Sequence, residues 1–229
     1  MAFISLTDDE CRVLGTLIEK AQTVPGQYPL TLNGLTVGCN QKNNREPVTN
    51  LSEDDVLTAV GSLRNKGLVR EAMLAGSRVH KYRHIAREAL EVGTGELVVL
   101  AELLLRGPQA VGELRGRAAR MLPPGDQSLS TLEATEKLLE GLSSRAEAMV
   151  KRLPRRAGER AERWVQLLCP DLHALDGAAH EDEPVRGAVV RSAGGDDGGL
   201  AERVGELEAE VRSLRDAVRR IGASLGIDV

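Results

Sequence analysis

Apolar positions near the start of the chain recur at helical spacing. Cys11, Leu14, Leu17, Ile18 and Ala21 share one face, the stripe of an amphipathic helix. The preceding T-D-D-E (7–10) is a capping box, which satisfies amide donors left free at a helix start. The prolines of VPGQYP (24–29) end this element, because proline cannot continue the hydrogen-bond ladder. Thr31 caps a short second helix carrying Leu32, Leu35 and Cys39. A third helix opens at Ser52 with S-E-D-D, presents Val56, Leu57, Val60 and Leu63 as its apolar face, and stops at Gly67. LVREAML and VHKYRHI then read as two strands around AGSR, a hairpin.

The same order returns downstream. Thr94 caps ELVVLAELLLR, AVGELRGRAARM (110–121) follows as a helix, and S-T-L-E (130–133) forms a capping box opening a helix through Leu142. AMVKRLP and ERWVQLL flank RRAGER as a second hairpin. The repeat lies in the order of elements and scarcely in residue identity, and repetition at that level signals duplicated architecture. Three helices followed by a hairpin is the winged-helix variant of the helix-turn-helix. The predicted fold is therefore mainly α with small β-hairpins (α+β), as two tandem winged-helix domains over 1–92 and 93–172.

Beyond Leu172 the pattern changes. Residues 173–199 are rich in Gly and acidic side chains and poor in large apolar ones, which predicts a flexible acidic linker. From Leu200 a heptad pattern appears, with Val204, Val211 and Val218 at a and Leu207, Leu214 and Ile221 at d. β-branched a with Leu at d favours a parallel two-stranded coil, and Arg203 and Glu210 at g would face Glu208 and Arg215 at e of a partner. A homodimer is the expectation. A helix folded back on its own domains is the alternative, because the heptads are few and Gly205 and Gly222 interrupt them.

Charge alters this picture more than composition does. Residues 1–172 carry 23 Lys+Arg against 22 Asp+Glu, whereas 173–229 carry 7 against 12. Within the near-neutral body, Arg64, Lys66, Arg70, Arg78, Lys81, Arg83 and Arg87 cluster around the first hairpin with only Glu71 opposing them. Lys151, Arg152, Arg155, Arg156, Arg160 and Arg163 cluster around the second, against Glu159 and Glu162. One charge run is usually a solvated face; two on equivalent hairpins point to phosphate contact. The third helices pull the other way. The first begins Glu53-Asp54-Asp55 and the second carries Glu133, Glu136 and Glu140 with only Lys137, and acidic helices do not suit the major groove.

The loop entering the first of these helices, CNQKNNREPVTN (39–50), has no apolar residue from Asn40 to Pro47. Asn and Gln pair with adenine and Arg with guanine, so Gln41, Lys42, Asn43, Asn44 and Arg45 join Arg64, Lys66, Arg78, Lys81, Arg83, Lys151, Arg152, Arg155, Arg156 and Arg160 as candidate contacts to nucleic acid or another partner. The competing reading is structural, since Asn adopts left-handed turns and bonds to nearby backbone.

The long motif QYPL…LN…CNQK-NREPV-NLSE, with LLLRGPQAVGELRGRAARM and the terminal heptads, resembles the bacterial YceH family across nearly the whole chain. Val24 and Thr49 stand where Thr and Met are expected. The resemblance implies paired winged-helix modules and no biochemical role, and no catalytic residue is carried over.

Enzyme constellations are missing from the sequence. There is no phosphate-cradling Gly loop and no HExxH. His80 and His84 fall on the same face of one strand, a pairing more often solvated than metal-binding. Cys11, Cys39 and Cys169 are widely spaced, which predicts free thiols in a reducing compartment, and a buried structural role suits Cys39. The four aromatics, Phe3, Tyr28, Tyr82 and Trp164, are too few for single-strand stacking platforms. MAFISLTDDE does not read as a signal peptide, and LVVLAELLL, interrupted by Glu102, is too short for a bilayer span. The expected protein is cytoplasmic, dimeric and non-enzymatic, without metal or cofactor, binding duplex DNA. The acidic linker could cover the basic hairpins, in which case deleting it tightens DNA binding. The alternative is a scaffold whose winged helices hold a protein partner.

Overall fold

The computed structural model describes residues 4–72, 79–155 and 161–172. Helix α1 (Asp8–Thr23) opens on the capping box of Thr7 and Glu10. A 3-10 turn (Pro25–Gln27) leads to β1 (Leu30–Thr31), α2 (Leu32–Cys39, capped by Thr31) and α3 (Glu53–Asn65). At the start of α3, Ser52 and Asp55 cap each other. Gly67 ends this helix turn at φ +73°, a left-handed conformation that glycine adopts without steric cost. The hairpin strands are β2 (Val69–Ala72) and β3 (Lys81–His84), followed by a short helix α4 (Ala86–Ala89).

The second half runs α5 (Thr94–Arg106), β4 (Gln109–Ala110), α6 (Val111–Ala118) with a 3-10 extension to Met121, α7 (Leu132–Ser143), β5 (Val150–Leu153) and β6 (Arg163–Gln166). Two caps shift by one residue from the expectation. Gly93, not Thr94, precedes α5, and its N–H donates to Glu96 at 2.6 Å. Thr131, not Ser130, caps α7 by accepting from the Ala134 N–H.

The described chain is thus mixed α/β, with seven α-helices and two three-stranded antiparallel sheets ordered β1-β3-β2 and β4-β6-β5. The sequence pattern predicts the hairpins but misses β1 and β4. Each is two residues long, too short to show alternation, and exists because it pairs with the second hairpin strand: Leu30 with Tyr82, Gln109 with Trp164.

Both halves contribute to one hydrophobic cluster, dominated by Leu and Val, with Ala, Cys, Tyr82 and Trp164 among its members. Its centre is the packing of α1 along α5. That contact explains why every residue from Glu10 to Ile18 is buried, where an amphipathic stripe predicts one face. α5 is buried from Leu97 to Leu105, as a helix apolar all round must be. The close crossing depends on Gly15: a Cβ there would stand 2.9 Å from Leu105 Cγ and 3.3 Å from Leu104 Cβ. The first residues also bond to the last ones described, Leu6 N–H to Leu168 C=O at 2.7 Å. The acidic linker (173–199) and the heptads at 200–229 lie outside the described residues.

Candidate functional site

The polar loop is built from its base upward. Asn40, the C-cap of α2, forms a closed pair with the Leu51 peptide: its Nδ2 donates to Leu51 C=O and its Oδ1 accepts from Leu51 N–H, both at 2.8 Å. Thr49 donates to the same Oδ1. Inside this frame the Arg45 side chain is wholly out of solvent. It donates to Gly38 C=O (2.9 Å from Nη2), to its own neighbour Asn44 C=O (2.8 Å) and to Glu19 on α1 (2.6 Å). Gln41 Oε1 accepts from Lys20 and Arg45.

The loop also completes α5. The last carbonyls of a helix have no intrahelical donor, and they form the negative end of its dipole. Leu105 C=O near the end of α5 accepts from Glu46 N–H at 2.8 Å and from Arg12. Arg12 also donates to Pro47 C=O, and Arg106 donates to the Asn44 side chain. Asn44 takes φ +62°, the left-handed conformation Asn tolerates. Burial, and then the nearby Arg45 charge, lower the Arg12 pKa from its usual range. The segment 39–50 is therefore a joint between the halves. Arg45, a candidate contact whose alternative was a structural role, takes the structural place, because all its guanidinium nitrogens are engaged inside. Gln41 and Asn44 are likewise occupied, and Lys42 and Asn43 remain exposed. Cys39 is buried, and burial pushes its thiol up to about 11.

Around the first hairpin the cations separate into two groups. Lys66 reaches Glu10 and donates to Ser5 C=O at 2.7 Å, and Arg64 pairs with Glu71 at 3.3 Å. Burial, the largest influence, raises the Glu10 carboxyl, but bonds from Lys66, Ser62 and the Thr7 N–H outweigh it and hold it below its usual range. On the outer sheet face, Arg70 stands directly opposite Arg83. Lys81 shares that face, two residues from Arg83. None of these three has an ion pair or side-chain hydrogen bond among the described residues. Arg70 is missing from the expected set of contacts; strand register is the signal that adds it. Arg78 lies outside the described residues.

Around the second hairpin, Arg152 is taken up internally. It lies 5.0 Å over the Trp164 ring and pairs with Glu136 (3.4 Å), Glu140 (3.3 Å) and Glu162 (3.2 Å). Two of the acids that make α7 unsuited to DNA thus anchor their own hairpin. Lys151 and Arg155 remain exposed. Arg156 and Arg160 lie outside the described residues, as do the heptad positions Val204, Leu207, Val211, Leu214, Val218 and Ile221.

The inner face of the first hairpin lines a groove of about 730 Å³ against α2 and α3. Leu57, expected on the buried face of α3, is 45% exposed there, because the true stripe is Val56, Ala59, Val60 and Leu63. The two histidines separate: His80 stands just before β3 and His84 at its end. His80 contacts Glu71, whereas His84 is half-buried and burial depresses it to about 4. Among the described residues no cluster of three or more His, Cys, Asp or Glu is placed to hold a metal ion. Nor is any described helix long and apolar enough to cross a membrane.

Comparison with known proteins assigns this assembly to a class before any activity. Residues 6–159 match the family described as "Protein of unknown function, DUF480". Among relatives, a UPF0502 protein of Geotalea daltonii is 47% identical over 209 residues, 90% of this chain and 88% of that protein. One from Geobacter sulfurreducens is 46% identical over 92% of this chain and 90% of its own, and one from Burkholderia ambifaria 40% identical over 100% and 92%. The chain belongs to this bacterial family, the YceH type expected from its polar motif.

Proposed function

We propose that the chain is a non-enzymatic pair of winged-helix modules, residues 1–92 and 93–172, that binds duplex DNA by gripping its sugar-phosphate backbone with the hairpins. The observation that carries this reading is the outer face of the first hairpin. Arg70 and Arg83 oppose one another, Lys81 stands beside them, and no described carboxylate compensates them. Like charges directly across a strand pair destabilise it, and a phosphate seated between them reverses that cost. The second hairpin adds the exposed Lys151, which stands opposite Val165 rather than another cation, and the exposed Arg155 beyond the end of β5.

The mode of contact follows from the acids. Glu53, Asp54 and Asp55 are exposed at the start of α3, and their charge opposes insertion into the major groove. Binding then rests on phosphates and carries little base selectivity. Pairing of the C-terminal heptads into a parallel dimer belongs to this proposal, since two copies double the number of phosphate contacts.

The test is fluorescence anisotropy of a labelled duplex titrated with the full chain over a range of salt. Log K should fall linearly with log salt, and Arg70→Glu with Arg83→Glu should reduce the slope by about 0.9 for each phosphate that is no longer neutralised. A folded protein that does not bind at low salt, or a double variant with the original slope, overturns the reading.

A further inference from the structure

Strand register makes positions in the two hairpins equivalent. Val69 pairs with His84 and Glu71 with Tyr82; Val150 pairs with Gln166 and Arg152 with Trp164. Counted from the first residue of each third helix, Leu57 and Gly61 of α3 occupy the places of Glu136 and Glu140 of α7. In the second half Arg152 fills the space between strand and helix, stacked on Trp164 and bonded to both glutamates. In the first half the strand position is Glu71, the ring is Tyr82 and the helix offers Leu57 and Gly61. The groove of about 730 Å³ lies there, with Leu32, Glu53 and Val79 also in its walls. Leu57 and Val79 are 45% and 54% exposed.

We propose that this groove docks a segment of a partner protein in which an Arg or Lys is flanked by aliphatic residues. The second half supplies the argument for the occupant, because it holds such a cation at the equivalent place. Tyr82 is 6% exposed, so a partner's cation would lie against the open part of its ring, where Arg152 covers Trp164 in the second half, and would meet the carboxylates of Glu71 and Glu53. Its aliphatic neighbours would cover Leu57 and Val79. The present partners of Glu71 leave room for this. Arg64 and His80 have side chains 49% and 61% exposed, and ion pairs so open to solvent contribute little. Among the described residues the Glu53 carboxylate accepts from Asn33 alone, at 3.2 Å. The two carboxylates repel a polyanion, so the groove and the outer cationic face of the same hairpin select different ligands.

The probe is a panel of fluorescent synthetic peptides in a Gly/Ser/Gln background, carrying one Arg with Leu at varied spacing on either side. Matched peptides replace the Arg by Glu. Anisotropy is read against the full chain. The Arg peptides should bind, with the Glu peptides at least about tenfold weaker, equivalent to about 1.4 kcal/mol. Leu57→Glu combined with Glu71→Arg imports the closure seen in the second half and should abolish binding while the circular-dichroism melt stays cooperative. The gentler Glu71→Gln should weaken binding and decides the matter if the double variant does not fold. Arg83→Glu, on the outer face, should change DNA binding and leave peptide binding intact, which separates failure of this proposal from failure of the phosphate reading. The proposal is overturned if no Arg peptide binds, if the Glu peptides bind equally well, or if duplex DNA competes the peptide away. It is also overturned if the chain self-associates and Leu57→Glu abolishes that, which would make a second copy the occupant.

Discussion

On equivalent cross-strand positions, the first half pairs the carboxylate of Glu71 with His80 and the second pairs the guanidinium of Arg152 with Glu162, so the charge on the first strand is inverted. Backbone register is the same in both hairpins. The inversion is tolerated because these groups are exposed enough for water to solvate either arrangement. The polar loops differ more deeply. The first half seals its loop with a fully buried arginine, whereas the second half's shorter loop (122–130) is held by Asp126 accepting from Ser128 N–H and Oγ. Burial, rather than the presence of a charged pair, decides which half is sensitive to a single change.

The largest effect is expected at Arg45. Arg45→Ala strips donors from Gly38 C=O, Asn44 C=O and Glu19 at once, and breaking a buried pair costs about 3–5 kcal/mol. Denaturant unfolding of the full chain checks this against Asp126→Ala, whose carboxylate is solvent-facing and whose removal should cost about 1 kcal/mol. Equal destabilisation at the two loops would remove the distinction drawn between them. Gly15→Val comes next. The added carbons run into Leu105 and Leu104 across the α1–α5 crossing, and overpacking of this kind costs about 1–3 kcal/mol. Because that crossing joins the halves, unfolding should remain a single transition in the parent and become less cooperative in the variant.

His84 separates the halves by pH. Its counterpart, Gln166, cannot titrate. Burial depresses His84 to about 4, below the ordinary histidine value of about 6.5. Between those values the unfolded chain binds a proton that the folded chain refuses, so stability falls as pH falls, at up to about 1.4 kcal/mol per pH unit. His84→Gln, which copies the second half, should flatten the stability profile between about pH 6.5 and 4. A profile unchanged by the substitution would mean the ring is solvated.

The fold was legible where the pattern was local. Capping boxes at Thr7 and Ser52, the stop at Gly67 and the repeat of helices and hairpins follow from spacing alone. What sequence did not show is set by tertiary partners. β1 and β4 exist only through their pairing, and Glu10–Ile18 of α1 are buried on every side because α5 covers the face that α2, α3 and β3 leave open. The candidate surface divided for the same reason. Lys66, Arg45 and Arg152 are basic in sequence like Arg83, but they meet Glu10, Glu19 and Glu136 across distances in sequence that no periodicity reveals. Leu57 is misread as part of the apolar face with Val56, Val60 and Leu63 when its apolar side chain is counted there, although it stands about a quarter-turn from Val56.

The smallest effect tests whether closure of the second half matters for stability or only for shape. Arg152→Met retains much of the side-chain volume over Trp164 and removes the cation. The three glutamates it releases have side chains 46–60% exposed, so water takes over their solvation, and the destabilisation should be under about 1 kcal/mol. Most of it comes from the stacking of the guanidinium on the ring, worth about 0.5–1 kcal/mol at a site this open. The effect should therefore persist in high salt, which screens the ion pairs but not the dispersion part of the stack. If the effect instead vanishes in high salt, the glutamates rather than Trp164 hold the hairpin to α7. The cation proposed to lie against Tyr82 in the first half would then need Glu71 and Glu53 more than it needs the ring.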